Sequence, residues 1–338
     1  MFARHFRYSD GVLPNVAALT FTLAGYALGV TMLASPLWIM QAGGFLLVTL
    51  TLVWSAYFIH EFAHHAIFKT GTANMRWGSL MSWVNGSCYA RFDNLRRKHM
   101  RHHVERADVI TFDVKAWLLA APAWVRKTVL LLEWCYVPAV EFIMRGFVIA
   151  MPFQKGQPPA GRRRVLGILM VRSAAFAALG WHAPSALVLY CLAYLLFVTI
   201  LRFADCFQHT YDAYPILGDA PIPNDKLRDK VYEKANTFSD IVGLENRWLN
   251  LLWLNFGFHN AHHEKPAMPW HRLPALHREL YADGCVQVIP VSALLKSFHR
   301  HRVARILADD YGRVHLPGVT GRADDFLGAA GVSFLTAV

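Results

Sequence analysis

Four runs of apolar residues in this chain are long enough to cross a bilayer as helices, which takes about twenty residues for a hydrocarbon core of about 30 Å. They run roughly from Val16 to Ala34, Leu37 to Ile59, Val165 to Trp181 and Ser185 to Phe203. Only Ser35-Pro36 separates the first two, and Pro184 breaks the last two, so the pattern predicts two membrane hairpins with tight reversals. Between the hairpins, residues 113–155 are apolar but interrupted by Arg126, Lys127, Glu133, Pro138, Glu141 and Arg145. These interruptions predict helices lying along the cytoplasmic interface, since a further span would break the asymmetry of charge along the chain. The expected architecture is an all-α integral membrane protein, with one domain over residues 1–338. It has four transmembrane helices in two hairpins, a cytoplasmic helical cap from residues 60–164 and 204–317, and a tail, 318–338, with no functional signal.

Composition supports the membrane setting, with 55% hydrophobic residues among 338. Charge adds the orientation. The 34 Lys and Arg exceed the 23 Asp and Glu, for a net +11, yet neither hairpin turn contains a charged residue. The basic residues fall on the N-terminal stretch, on residues 61–164 and after the fourth run. Both termini and the central segment are therefore expected in the cytoplasm. Met1–Pro14, with Arg4 and Arg7, leads into a full-length span without a small-residue cleavage site and reads as a retained anchor. Arg172, inside the third run, is expected to snorkel to the headgroups. The basic balance suits anionic lipid, and no nucleic-acid-binding motif accompanies it. Five cysteines, widely spread and without a Cys-x-x-Cys pair, form neither a disulfide framework nor a thiolate metal site.

The chemistry is in the histidines. Ten of the 17 fall in four places: "HEFAHH" (His60, His64, His65), "HMRHH" (His99, His102, His103), His209 alone, and "HNAHH" (His259, His262, His263). Spacings of three and four place side chains on one face of a helix, so each group can converge on a point. Neutral imidazole suits iron, zinc or copper. His60 falls at the cytoplasmic end of the second run and His209 just beyond that of the fourth, so all four places can meet at one cytoplasmic, membrane-facing site. His60 to His64 also reads H-E-x-x-H, two zinc ligands with Glu61 as the base of a hydrolase. An intramembrane zinc protease would need a distant acid as third ligand, for which Asp219 and Asp225 are poor candidates. It would also leave both H-x-x-H-H groups unused.

With H-x(3,4)-H, H-x-x-H-H and a later H-x-x-H-H around two hairpins, the chain resembles the membrane fatty acid desaturase and hydroxylase superfamily over most of its length. The resemblance implies a cytoplasmic cap holding a di-iron centre, two iron ions that activate O2 and remove hydrogen from an unactivated C–H bond. Carried over by position, the implied ligands are His60, His64, His99, His102, His103, His209, His259, His262 and His263. His65 stands behind His64 or takes its place. Glu61 then orients a ligand histidine or pairs with a cation. Relatives of the stearoyl-CoA desaturase type carry Asn four residues before the lone histidine. Here that position is Asp205, expected to bind iron, to orient His209 or to pair with Arg202. No "HPGG" haem motif, G-x-G-x-x-G or Cys-rich iron–sulfur site is present, so electrons are expected from a separate ferredoxin, rubredoxin or cytochrome b5-like donor. Desaturation of a fatty acyl lipid, thioester or free acid is the default outcome. Relatives with the same histidines hydroxylate lipids or decarboxylate free acids to terminal alkenes. Asp205 and the lack of a fused cytochrome favour a divergent bacterial member, set in the inner membrane.

Overall fold

The computed structural model describes residues 2–215, 228–243, 246, 248–284, 287–314 and 325–338. Asp219, Asp225 and Cys285 lie outside the described residues. In chain order the α-helices of the described residues are α1 (Val12–Leu33), α2 (Trp38–Ala63), α3 (Gly71–Asn85), α4 (Phe92–Glu105), α5 (Val114–Ala120), α6 (Ala123–Trp134), α7 (Ala139–Ala150), α8 (Pro159–His182), α9 (Pro184–Asp205), α10 (Lys230–Ala235), α11 (His259–Glu264), α12 (Leu273–Leu280), α13 (Val291–Arg300) and α14 (Ala304–Leu307). Two three-residue strands, β1 (Asp108–Ile110) and β2 (Ala213–Pro215), pair in parallel.

The four apolar runs are α1, α2, α8 and α9, of 22, 26, 24 and 22 residues, each long and apolar enough to span a membrane. The third starts earlier than the hydropathy predicts, at Pro159, and so takes in Arg162, Arg163 and Arg164. Proline at the first position costs a helix nothing, because that N–H has no partner within the helix anyway. Within the first hairpin, α1 and α2 pack at a glycine contact. A Cβ on Gly44 would stand 2.8 Å from the Gly29 carbonyl oxygen, so only glycine permits this approach. The outer faces keep large apolar side chains exposed, among them Leu28, Leu46, Met170 and Val188. In a bilayer these have lipid as their partner. The protein is an integral membrane protein.

Residues 113–155 form α5, α6 and α7 of 7, 12 and 12 residues, each shorter than a span requires. They pack around Val129, Val140 and Met144, with Ile306 from beyond α13. Glu133 of α6 reaches α9 and pairs with Arg202. That contact replaces the expected pairing of Arg202 with Asp205: Arg202 and Glu133 are both buried, and either charge left there without the other would be costly. Arg172 also departs from expectation. It donates to the Trp83 carbonyl at 2.9 Å, at the end of α3, and lies over the Phe176 ring. The last turn of a helix leaves carbonyls unpaired, and a cation there is favoured.

The main core runs along the inner half of α2. Tyr57, Phe58 and Phe62 are buried with Phe197 and Phe203 of α9. This places the ends of α2 and α9 side by side, with α4 and α11 closing over them. The β1–β2 pair ties the chain leaving α4 to the chain leaving α9, setting Asp108 opposite Ala213.

Candidate metal centre

Helix geometry decides where each histidine points. His60 and His64 lie one turn apart at the end of α2, as do His99 and His103 on α4 and His259 and His263 on α11. Each i, i+4 pair shares a stripe, whereas the middle histidine of each H-x-x-H-H group is turned off it. The structure uses this offset to build two groups. His60, His64, His99, His103 and His262 form one, and His102, His209 and His263 the other, with ligand atoms within 4.8 Å of one another in each. His259 joins the second group, its Nε2 atom 2.8 Å from that of His209. Helix α4 thus gives its outer pair to the first group and its middle histidine to the second, and α11 does the reverse.

The nitrogens face each other closely. Nε2 to Nε2 separations are 2.7 Å for His64 and His99, and 3.1 Å for His99 and His103, His103 and His262, and His262 and His60. In the second group His209 and His263 stand at 2.9 Å. The opposite ring nitrogens explain which atoms are free to bind. His102 Nδ1 donates to the Ala107 carbonyl at 3.0 Å and His263 Nδ1 to Glu233 at 3.1 Å. With those two protons fixed outward, the inward Nε2 atoms of His102 and His263 carry lone pairs. Ring nitrogens this close either share a proton or hold a cation between them.

Burial keeps the rings neutral. It drives the protonated forms of His64, His99, His103, His209, His259 and His263 well below the usual histidine range, and neighbouring imidazoles add to the effect. His262 is pulled down to about 3. An uncharged imidazole is the form that binds a metal. These two groups could each hold one ion.

The structure separates the alternatives left open at "HEFAHH". Helix α2 ends in a turn where the Ala66 N–H bonds the Glu61 carbonyl and the His65 N–H that of Phe62, with His65 at φ 54°. This is a Schellman motif, and its left-handed residue is thrown off the helix face. His64 therefore meets His99, while the His65 ring packs toward Gly71, outside both groups. Glu61 is buried behind His60, 3.5 Å from Nδ1, and accepts the Trp270 backbone N–H at 2.9 Å. It faces away from the bare nitrogens, where a hydrolase's base would have to stand.

The Oδ2 atom of Asp205 is buried and without a hydrogen-bond partner. The residue lines a cavity of about 50 Å³ together with His99, His102, His209 and His259. Phe256, Val332 and Phe334 form the apolar part of the same wall.

Several contributors carry no histidine signal. Asp108 lies 3.3 Å from His102 Nδ1 and 3.9 Å from His209 Nδ1. Glu233 holds His263 and is itself held by Arg106 at 2.8 Å and Lys230 at 2.9 Å. Asp108 follows the second histidine group by only five positions, which was a usable clue, but Glu233 is brought in by tertiary packing alone. The segment after residue 324, expected to be silent, is buried instead. Phe334 stands 6.1 Å from the His60 ring and 6.2 Å from that of His99. Lys98 donates to the carbonyls of Ser333 at 2.9 Å and Thr336 at 2.8 Å, and burial pulls its ammonium down to about 8.

The family model described as fatty acid desaturase matches residues 36–290, a stretch that includes all ten candidate histidines, Glu61 and Asp205. No curated protein matches the chain.

Proposed function

The chain belongs to the fatty acid desaturase family and is an oxidoreductase of the membrane, and from that premise we propose that it desaturates a fatty acyl chain using O2 and two iron ions. The observation that carries this reading is the pair of histidine groups whose ring nitrogens converge within 4.8 Å of one another. One iron is held by His60, His64, His99, His103 and His262, the other by His102, His209, His259 and His263. Bound there, the two ions supply the activation of O2 needed to remove hydrogen from an unactivated C–H bond. The second group has fewer histidines, and Asp205 beside it has a free, buried carboxylate oxygen. We assign Asp205 to that ion, directly or through water.

The remaining residues position and exclude. Glu233 fixes the His263 ring, and the Ala107 carbonyl with Asp108 beside it fixes that of His102, so that their nitrogens are preorganised. Phe256, Val332 and Phe334 supply the apolar side of the cavity next to the histidines. The single domain lies in the bilayer with the histidines on the cytoplasmic side, where a ferredoxin, rubredoxin or cytochrome b5-like donor delivers electrons. A net charge of +11 suits an acidic partner. A bacterial inner membrane is the setting we infer.

Metal analysis of the purified protein, paired with lipid and headspace analysis of cells expressing it, tests this. We expect two irons per chain and new internal double bonds in the lipids. One zinc without iron overturns the metal assignment. A hydroxylated acid or a terminal alkene in place of an internal double bond overturns the desaturase outcome.

A further inference from the structure

A second, larger cavity of about 580 Å³ lies where α7 ends and α8 begins. Its walls are mostly apolar, formed by Val148, Met151, Val165 and Ala337, and Arg91 and Arg164 are the cationic groups among its lining. That volume is in the range of cavities that bury a small-molecule ligand. The first turn of α8 is also where the charged stretch Arg162–Arg164 gives way to the apolar span, at the boundary between headgroups and hydrocarbon. Arg164 is fixed there by donating to backbone carbonyls, that of Tyr89 at 2.8 Å. Arg91 is two-thirds exposed (67%), with Asp93 at 3.5 Å.

One short stretch of chain separates this cavity from the histidines. Val332 and Phe334 line the cavity beside the histidine groups, while Ala337 and Val338 line the larger one. The stretch packs Leu335 and Ala337 into the main core and is tied down through its backbone. Lys98 binds the carbonyls of Ser333 and Thr336, and Thr111 donates to Thr336 at 2.9 Å.

We propose that the 580 Å³ cavity is the entry site for a single-chain lipid with an anionic headgroup. Its headgroup rests at Arg91, its chain runs inward, and residues 332–338 form the partition that the chain displaces to reach the histidines. The inference rests on the acyl-oxidising role proposed above. It explains why an apolar ring, that of Phe334, occupies the ground beside His60 and His99 that a substrate carbon would need.

Photo-crosslinking in phosphatidylcholine nanodiscs tests it without iron or turnover. The probes are a sixteen-carbon fatty acid bearing a terminal diazirine and the matching fatty alcohol. With the acid, adducts are expected on residues 148–165 and 332–338. Arg91→Glu, an exposed change that should not disturb folding, lowers acid labelling by about two- to fivefold and leaves the alcohol unchanged, the size expected of one solvent-exposed ion pair. Phe334→Ala moves adducts inward, onto Phe256. Adducts spread evenly over the lipid-facing sides of α1, α8 and α9 overturn the cavity. Equal labelling by acid and alcohol, unaffected by Arg91→Glu, overturns the headgroup assignment. Adducts that stay at residues 332–338 in Phe334→Ala overturn the partition. If the adducts appear as expected in a protein that oxidises no acyl chain in cells, the site stands and the proposed reaction fails.

Discussion

The Nε2 atom of His60 stands 3.1 Å from that of His262, across 202 positions of the chain. His263, next to His262, belongs to the other group and meets His209 instead. Adjacent residues on one helix thus serve different sites. Changing either to alanine should remove roughly one bound iron per chain and leave the other in place, because each ring contributes to a single group. Iron content and Mössbauer spectra of His262→Ala and His263→Ala check this. Loss of both ions from either variant, with the fold intact, would contradict two separable sites.

Glu233 acts through His263, not on the metal. Glu233→Gln should lower metal affinity by about 10- to 100-fold, the usual cost of removing a carboxylate behind a ligand histidine. The loss is read by competition with a chelator. Asp108→Asn should show the same effect for the group containing His102 and His209. A purely structural role for either acid predicts a lower melting temperature with unchanged metal affinity.

His65 should be dispensable for metal. It occupies the left-handed end of α2 at φ 54°, a conformation that asparagine tolerates well. His65→Asn is expected to keep full iron content, whereas His64→Asn loses the ion of the first group. Equal losses in the two variants would return His65 to the site.

Arg202 and Glu133 form a buried pair between α9 and α6. Removing one partner leaves an uncompensated charge, so Glu133→Leu should destabilise by about 3–5 kcal/mol. The double variant with Arg202→Leu should recover much of that loss. Thermal unfolding of the three variants in detergent gives the cycle, and full additivity would mean that the pair is not coupled.

Asp240 is buried, and burial pushes its carboxyl up to about 7 from an ordinary 3.8. Between those two values the folded protein keeps a proton that the unfolded chain releases. Stability should therefore fall as pH rises through that window, with the loss complete above about 7. Asp240→Asn, which cannot ionise, should flatten the fall between pH 5 and pH 8. Melting curves at the two pH values decide it, and an unchanged slope assigns the pH dependence elsewhere.

The membrane frame and the histidines were legible in the sequence for clear physical reasons. A bilayer fixes span length and apolarity, and i, i+3, i+4 spacing keeps ligands on one side of a helix. The positive-φ turn at His65 was not legible, because the residue at which a helix stops depends on a cap that composition does not mark. Asp205 and Arg202, three positions apart, suggested a pair. Tertiary packing delivered Glu133 to Arg202 instead and left Asp205 free for the cavity. Glu233 and Phe334 arrive at the site from distant segments that carry no periodic signal. The division of each H-x-x-H-H group between two sites depends on how α4 and α11 face each other, which no local pattern contains.

That division has a mechanical consequence. Because α4 and α11 each brace both groups, they act as shared struts, and neither can shift or rotate for the benefit of one ion alone. A movement of either helix alters both coordination shells together. Only a change of side chain can adjust one group independently, so a strain applied at one group is felt through the scaffold of the other.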